Sequence, residues 1–128
     1  MSKAHLLNIE NARTEEQREL MGRIQQDGVC PFCKEYFSTY HPKPILKETP
    51  HWYLTENMSP YPGTKYHFIF VYKPTHIEDP SLLTTTETGD LFALMTWATK
   101  HFSIPGGSFF MRFGESKYTG SSVAHLHA

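Results

Sequence analysis

The segment HWYLTENMSPYPGTKYHFIFVYK, residues 51–73, decides the fold class of this chain. Its two ends, 51–58 and 66–73, are rich in aromatic and β-branched residues, which favour strands. Between them, SPYPGT (59–64) combines proline and glycine, the residues that turns require. The segment therefore predicts two antiparallel strands joined by a short loop.

Two helices are predicted on either side of this strand pair. Residues 14–17, Thr-Glu-Glu-Gln, form a capping-box pattern, and Gly28 supplies a stop, so 14–27 should be helical. Thr84 and Glu87 form a second capping box. Behind it, apolar residues recur at helical spacing and predict a long amphipathic helix: Leu91, Leu94, Met95, Ala98 and Phe102.

Two further strands are predicted after the long helix, from SFFMRFGE (108–115) and SVAHLHA (122–128). The order of elements indicates an α+β fold with an antiparallel sheet of about five strands, an N-terminal helix and one long helix. The 128 residues contain no internal repeat, low-complexity tract or flexible linker, so a single domain over 1–128 is expected.

Charge and composition exclude several classes of partner. The net charge is −1 and no basic patch is present, so we expect neither nucleic-acid nor membrane-surface binding. The N-terminus lacks the layout of a signal peptide, and no apolar run approaches the ~20 residues that span a bilayer. Two cysteines without an export signal fit a reducing compartment, which predicts a cytoplasmic protein.

The two cysteines, in GVCPFCKEYF (28–37), are spaced Cys-x-x-Cys. A redox dithiol needs an apolar strand before the motif and a clear helix after it; here a polar helix precedes Cys30, and a stretch broken by prolines follows Cys33. A structural zinc site needs two more ligands, for which eight histidines are available. Spacing alone does not choose among these histidines, and two unrelated core thiols remain an alternative.

The final stretch, GSSVAHLHA (120–128), places His125 and His127 two residues apart. On a strand, both imidazoles point to one face. They are either part of a solvated strand end or part of a site where imidazole acts as ligand, nucleophile or proton carrier. In the second case the serines and backbone N–H groups before them would receive an anion.

Three blocks of the sequence resemble the histidine-triad (HIT) superfamily of nucleotide hydrolases and transferases. GSSVAHLHA resembles its signature of alternating histidines and apolar residues, and the run from Asn57 to His76 is similar to its strand pair. CPFCK (30–34) matches the zinc-binding branch, which includes galactose-1-phosphate uridylyltransferases and small bacterial HIT proteins. The resemblance covers roughly residues 14–128 and implies a HIT-like fold.

The resemblance also implies roles for individual residues. It implies a structural zinc ion held by four ligands: Cys30, Cys33, His76 and His125. It makes His127 the nucleophile, with the Ser122 hydroxyl and the backbone N–H groups around Gly120 and Ser121 receiving the phosphate. It places Asn57 at the ribose and Phe32 and Met58 near the base. Family members of this size are commonly symmetric dimers, which implies a homodimer.

The activity implied is that of a nucleotide hydrolase or nucleotidyltransferase that works through a nucleotidyl-histidine. Two features depart from the family. Ala128 stands one position short of the family's third histidine, so we expect a domain cut short within the triad strand, and RFGES (112–116) lacks the asparagine that some members carry. The alternatives are a catalytically weak domain that binds a nucleotide or a partner, and an ordinary zinc-stabilised structural domain.

Overall fold

The computed structural model of this chain describes residues 6–128 and has an α+β architecture. Within that range the helices are α1 (Glu15–Asp27), α2 (Phe37–Tyr40), α3 (Thr85–His101) and α4 (Ser116–Thr119). The strands are β1 (Ile45–Glu48), β2 (Trp52–Glu56) and β3 (Phe68–Tyr72). Two short 3₁₀ turns lie at Ile9–Asn11 and Pro80–Leu82.

The three strands form one antiparallel sheet in the order β1-β2-β3. The predicted strand pair is confirmed, since β2 and β3 pair in register from Trp52 opposite Tyr72 to Glu56 opposite Phe68. Strand β1 was not predicted. It is short and mostly exposed, and its pairing with β2 shifts register between Ile45 and Lys47, so its sequence carries no alternating pattern.

The expectation of about five strands is wrong for the part of the chain that the structure describes. Residues 108–115 form no strand. Phe109, Phe110 and Phe113 are exposed, and within residues 6–128 the sheet pairing of this stretch is a single bridge from Arg112 to His127. Residues 122–128 lie along the free edge of β3 with paired hydrogen bonds between Phe70 and Ala128. The N–H of Leu126 instead donates to Ile77, which interrupts a regular ladder.

Both long helices begin at their predicted capping residues, and α1 also ends where predicted. The Thr14 hydroxyl accepts from the N–H of Gln17 at the start of α1, and Gly28 ends that helix in the left-handed conformation, with φ 70°. Both hydrogen bonds of the Thr84–Glu87 capping box are present at the start of α3. In the described residues, no helix combines the length and the apolar character that crossing a membrane requires.

The main core lies between α3 and the sheet. Trp52 and Leu54 of β2 are fully buried against Leu91 and Leu94 of α3, and Leu126 joins them. The Trp52 indole N–H donates to the Glu87 carbonyl oxygen at 2.7 Å, so this buried polar group is satisfied. Because Leu126 is part of this core, the segment that carries His125 and His127 has a fixed position.

Candidate metal centre and adjoining cavity

Four side chains that are distant in the sequence converge on one point. Cys30 and Cys33 follow α1, His76 follows β3, and His125 lies in the last segment, 95 residues after Cys30. One donor atom from each residue lies within 4.8 Å of every other. Cys30 and His125 are buried, and the other two are partly buried. The structure therefore brings together the ligand set that the resemblance implied.

The local backbone explains why both thiols reach the same point. After Gly28 turns the chain away from α1, the Cys33 N–H donates to the Cys30 carbonyl oxygen at 3.3 Å and closes a tight turn. The Cys33 carbonyl oxygen then accepts the N–H groups of Tyr36 and Phe37, both at 2.9 Å. Two successive turns therefore hold the cysteines on one side of the chain.

Three of the distances between the donor atoms are close to those of tetrahedral coordination. The Cys30 Sγ lies 3.4 Å from the His125 Nδ1, the Cys33 Sγ lies 3.5 Å from the His76 Nδ1, and the two Nδ1 atoms are 3.2 Å apart. An ion at about 2.0 Å from nitrogen and about 2.3 Å from sulfur separates tetrahedral N–N pairs by about 3.3 Å and N–S pairs by about 3.5 Å. The four residues could therefore bind a metal ion.

The outer nitrogens of both histidines have acceptors that orient the rings. The His125 Nε2 lies 2.7 Å from the Tyr72 carbonyl oxygen, and the His76 Nε2 lies 2.8 Å from a Glu78 carboxylate oxygen. With Nε2–H donating in each ring, the Nδ1 lone pairs point toward the thiols. Such a carboxylate or carbonyl partner is the usual support of a metal-bound histidine.

Burial in the cluster favours the neutral forms of its two cysteines and of His125. Burial raises the pKa of Cys30 to about 12, with the nearby Cys33 adding to the effect, and burial also raises the pKa of Cys33. Burial lowers the pKa of His125 to about 4. Without a cation, both thiols and His125 are neutral at pH 7. A bound dication would stabilise both thiolates, so the cysteines would then be deprotonated.

A cavity of about 970 Å³ adjoins the cluster, and His127 lies in its wall. The His127 Nδ1 is 2.6 Å from the His125 carbonyl oxygen, so Nδ1–H donates there and the Nε2 atom keeps its lone pair. Burial lowers the pKa of His127, and the charge of Arg112 lowers it further. The Phe32 and His127 rings pack in a T-shaped arrangement with their centroids 5.0 Å apart. His127 is therefore a neutral, oriented imidazole at pH 7.

The other residues that the resemblance assigned to nucleotide or phosphate binding also line this cavity: Phe32, Asn57, Met58, Gly120, Ser121 and Ser122. Two of the backbone donors expected there are used within the loop. The Gly120 N–H donates to the Ser116 carbonyl oxygen, and the Ser121 N–H donates to the Thr119 hydroxyl. The Ser122 hydroxyl accepts from the Gln17 amide at 3.4 Å, which leaves its own proton for another acceptor.

Asn57 belongs to a loop that His67 supports. The Asn57 side-chain oxygen accepts from the Ser59 N–H at 2.7 Å, and the His67 Nδ1 accepts from the Tyr61 N–H at 2.9 Å. The Asn57 Nδ2 and His67 Nε2 atoms are 3.4 Å apart. Asn57 therefore holds a fixed position in the cavity wall.

Three further residues of the cavity wall, Arg13, Tyr61 and Arg112, were not predicted to have a role. No local pattern marks them. Arg13 precedes a helix cap, Tyr61 lies in a turn, and Arg112 lies in a segment that the sequence assigns wrongly to a strand. Only the folded chain places them together.

No protein-family model matches the chain, and no curated protein shows significant similarity to it.

Proposed function

We propose that this protein is a HIT-type nucleotide hydrolase or nucleotidyltransferase. One observation carries the proposal. His127 lines a cavity that could hold a nucleotide, and its Nδ1–H is tied to the carbonyl oxygen of His125, a member of the four-donor cluster. An imidazole with one nitrogen fixed as a donor has its other nitrogen free to act as a nucleophile.

The proposed reaction has two steps. The Nε2 lone pair of His127 forms an N–P bond at the α-phosphorus while the bond from phosphorus to the leaving group breaks, and the leaving group takes the electron pair. Water or another phosphate then attacks the nucleotidyl-histidine, and the imidazole departs with its lone pair restored. The Ser122 hydroxyl, which can donate its proton, is the proposed contact for the α-phosphate oxygens.

We propose zinc for the four-donor cluster, with Cys30, Cys33, His76 and His125 as its ligands. Two thiolates and two imidazoles form a donor set typical of structural zinc. With four protein ligands the ion supplies structural stabilisation, since no coordination position is open to substrate. The ligands would link the end of α1, the end of β3 and the last segment, and so fix the peptide to which His127 is bonded.

The substrate's nucleoside would lie in the apolar part of the cavity. Phe32 and Met58 supply apolar surface for a base, and Asn57 supplies an amide for the ribose. Asn57 lies on the loop held by His67, which agrees with a fixed position for the sugar. We therefore propose the fold and the nucleotide contacts of the HIT family for this chain.

We also propose a homodimer and a cytoplasmic location. Phe92 of α3, Phe110 and Phe113 are each about half exposed, and they are apolar side chains that a second copy could cover. Sedimentation velocity tests this, with Phe110→Glu expected to give the monomer. The cytoplasm is favoured because a reducing compartment keeps Cys30 and Cys33 available as thiolate ligands.

The decisive experiment measures nucleotide turnover and looks for the covalent adduct. Wild-type protein and His127→Asn are incubated with a panel of nucleoside polyphosphates, nucleotide sugars and phosphoramidates. Intact-protein mass spectrometry should detect a nucleotidyl adduct on the wild type and none on the variant. His101→Asn, which changes an exposed histidine of α3, is the matched control. Equal turnover by the wild type and His127→Asn would refute the proposal.

A further inference from the structure

Two guanidinium groups meet at one tyrosine in the cavity wall. The Arg13 Cζ lies 4.3 Å from the centroid of the Tyr61 ring, and an Arg112 Nη donates to the Tyr61 hydroxyl at 3.0 Å. Within residues 6–128, neither arginine forms an ion pair with a carboxylate. The two positive charges are thus held near each other without an anion between them, an arrangement that favours anion binding.

Arg112 is held beside the proposed nucleophile. Its backbone forms an antiparallel bridge with His127. Its Nε–H donates to the Thr119 carbonyl oxygen at 2.7 Å, and its guanidinium lies 4.9 Å from the centroid of the Phe110 ring. These contacts place the guanidinium along the loop before His127, with further N–H donors available for an anion.

The charge of both arginines reaches the wall of the cavity. Burial lowers the pKa of His67, and Arg13 and then Arg112 lower it further. Lys65 also lines the cavity, and among residues 6–128 Glu16 is the one acidic residue in its wall. Because the N–H groups of residues 120 and 121 are used within their loop, side-chain cations and the Ser122 hydroxyl are the groups next to His127 that could bind an anion.

Building on the proposed function, we propose that Arg112 and Arg13 bind the phosphates of the leaving group. The substrate class is then a nucleotide with a phosphoanhydride bond, such as a nucleoside triphosphate or a dinucleoside polyphosphate, in preference to a nucleoside phosphoramidate. As His127 attacks the α-phosphorus, the electron pair of the breaking P–O bond passes to the bridging oxygen of the departing phosphate. Guanidinium groups, which bind phosphate through paired N–H donors, stabilise that oxygen without giving up a proton.

The first test compares two substrates that share a nucleoside and differ in leaving group. The ratio of kcat/KM for the dinucleoside polyphosphate to kcat/KM for the phosphoramidate is measured in each protein. Arg112→Gln should lower this ratio by about 10²-fold, the scale expected for losing one positioned charge donor. Arg13→Gln should lower it by a smaller factor, because that side chain is exposed. Arg23→Gln changes an exposed arginine of α1 outside the cavity and serves as the control.

The second test is independent of turnover. Binding of inorganic pyrophosphate is measured by calorimetry, and Arg112→Gln should weaken it by about tenfold or more, while Arg23→Gln should not change it. Either an unchanged substrate ratio in an active enzyme or equal pyrophosphate binding by Arg112→Gln and the wild type would overturn the inference. If His127→Asn retained turnover while pyrophosphate binding still depended on Arg112, the nucleophile assignment would fail and the anion site would stand.

Discussion

Two histidines separated by one residue belong to regions of opposite character. His125 is 2% exposed and lies in a cluster where its Nδ1 faces two thiols and its Nε2 meets a carbonyl oxygen. His127 lies in the wall of an open cavity near the positive charge of Arg112. Closed coordination suits an ion that stabilises the fold, whereas an open cavity suits a group that reacts. The same side-chain chemistry is therefore suited to two different purposes according to what surrounds it.

The largest effect is expected from replacing His127, the histidine that lies in the cavity wall. We expect His127→Asn to lower turnover by about 10³-fold or more, the scale for losing a nucleophile. The temperature of unfolding should fall less than it does for a change of a cluster ligand, because His127 lies outside the apolar core clusters and is not a member of the four-donor cluster. Kinetics and differential scanning calorimetry on the same samples check both statements. A large drop in unfolding temperature would show that the two regions are not separable.

The next largest effect is expected from replacing a residue of the four-donor cluster. We expect Cys33→Ser to cost about 3 kcal/mol or more of unfolding free energy in the metal-loaded protein, because binding energy at a structural metal is folding energy. Metal analysis should give about one equivalent of zinc in the wild type and much less in the variant. Matching unfolding curves for Cys33→Ser and His127→Asn would remove the contrast between the regions.

A smaller effect should follow from changing a support of the cluster without touching a ligand. Glu78 accepts from the His76 Nε2 at 2.8 Å. Glu78→Gln is expected to weaken zinc affinity by about 10- to 100-fold, the usual effect of losing a partner of a metal-bound histidine. Competition with a chromophoric chelator measures it. Glu115→Gln, on an exposed carboxylate, is the control and should leave the affinity unchanged.

The smallest effect concerns pH and a histidine of the cavity wall outside the cluster. His41 is buried, stacks on Phe37 and meets the Thr55 hydroxyl at 2.8 Å, and burial and the charge of Lys43 lower its pKa. Below the ordinary histidine pKa of about 6.5, the unfolded chain takes up a proton that folded His41 does not, so stability falls as the pH drops through this range.

Replacing His41 isolates that contribution. His41→Gln should show a shallower decline of unfolding free energy between about pH 7 and pH 5 than the wild type, as measured by urea denaturation at each pH. All other histidines are the same in both proteins, so only the difference between the two slopes is informative. Parallel slopes would mean that His41 does not contribute to the pH dependence.

The parts of the fold set by neighbouring residues could be predicted from the sequence. Thr84 and Glu87 form a capping box within one helical turn, and the turn between β2 and β3 lies within a short stretch. Residues 108–115 were assigned wrongly because aromatic content alone favours a strand, while sheet pairing depends on a partner that the sequence does not reveal.

In the candidate site, too, the sequence alone does not reveal which distant residues become neighbours. The Cys-x-x-Cys spacing indicates half of a metal site, but His76 and His125 were selected by a family resemblance, since spacing could not choose two of eight histidines. Arg13 and Arg112 are 99 positions apart, and only tertiary packing around Tyr61 makes them neighbours. Two positive charges that only tertiary packing brings together leave no local pattern in the sequence.

The hydrogen bond from the His127 ring to the His125 carbonyl oxygen imposes a length rule on the last segment. Because side chains alternate between faces in extended backbone, deleting Leu126 or inserting one residue beside it would turn the second imidazole toward the opposite face. Replacing Leu126 by another residue should therefore disturb the direction of the His127 ring less than deleting Leu126 or inserting a residue beside it. In any comparison of related chains, single-residue gaps should therefore be absent between these two histidines, even where the surrounding sequence has diverged.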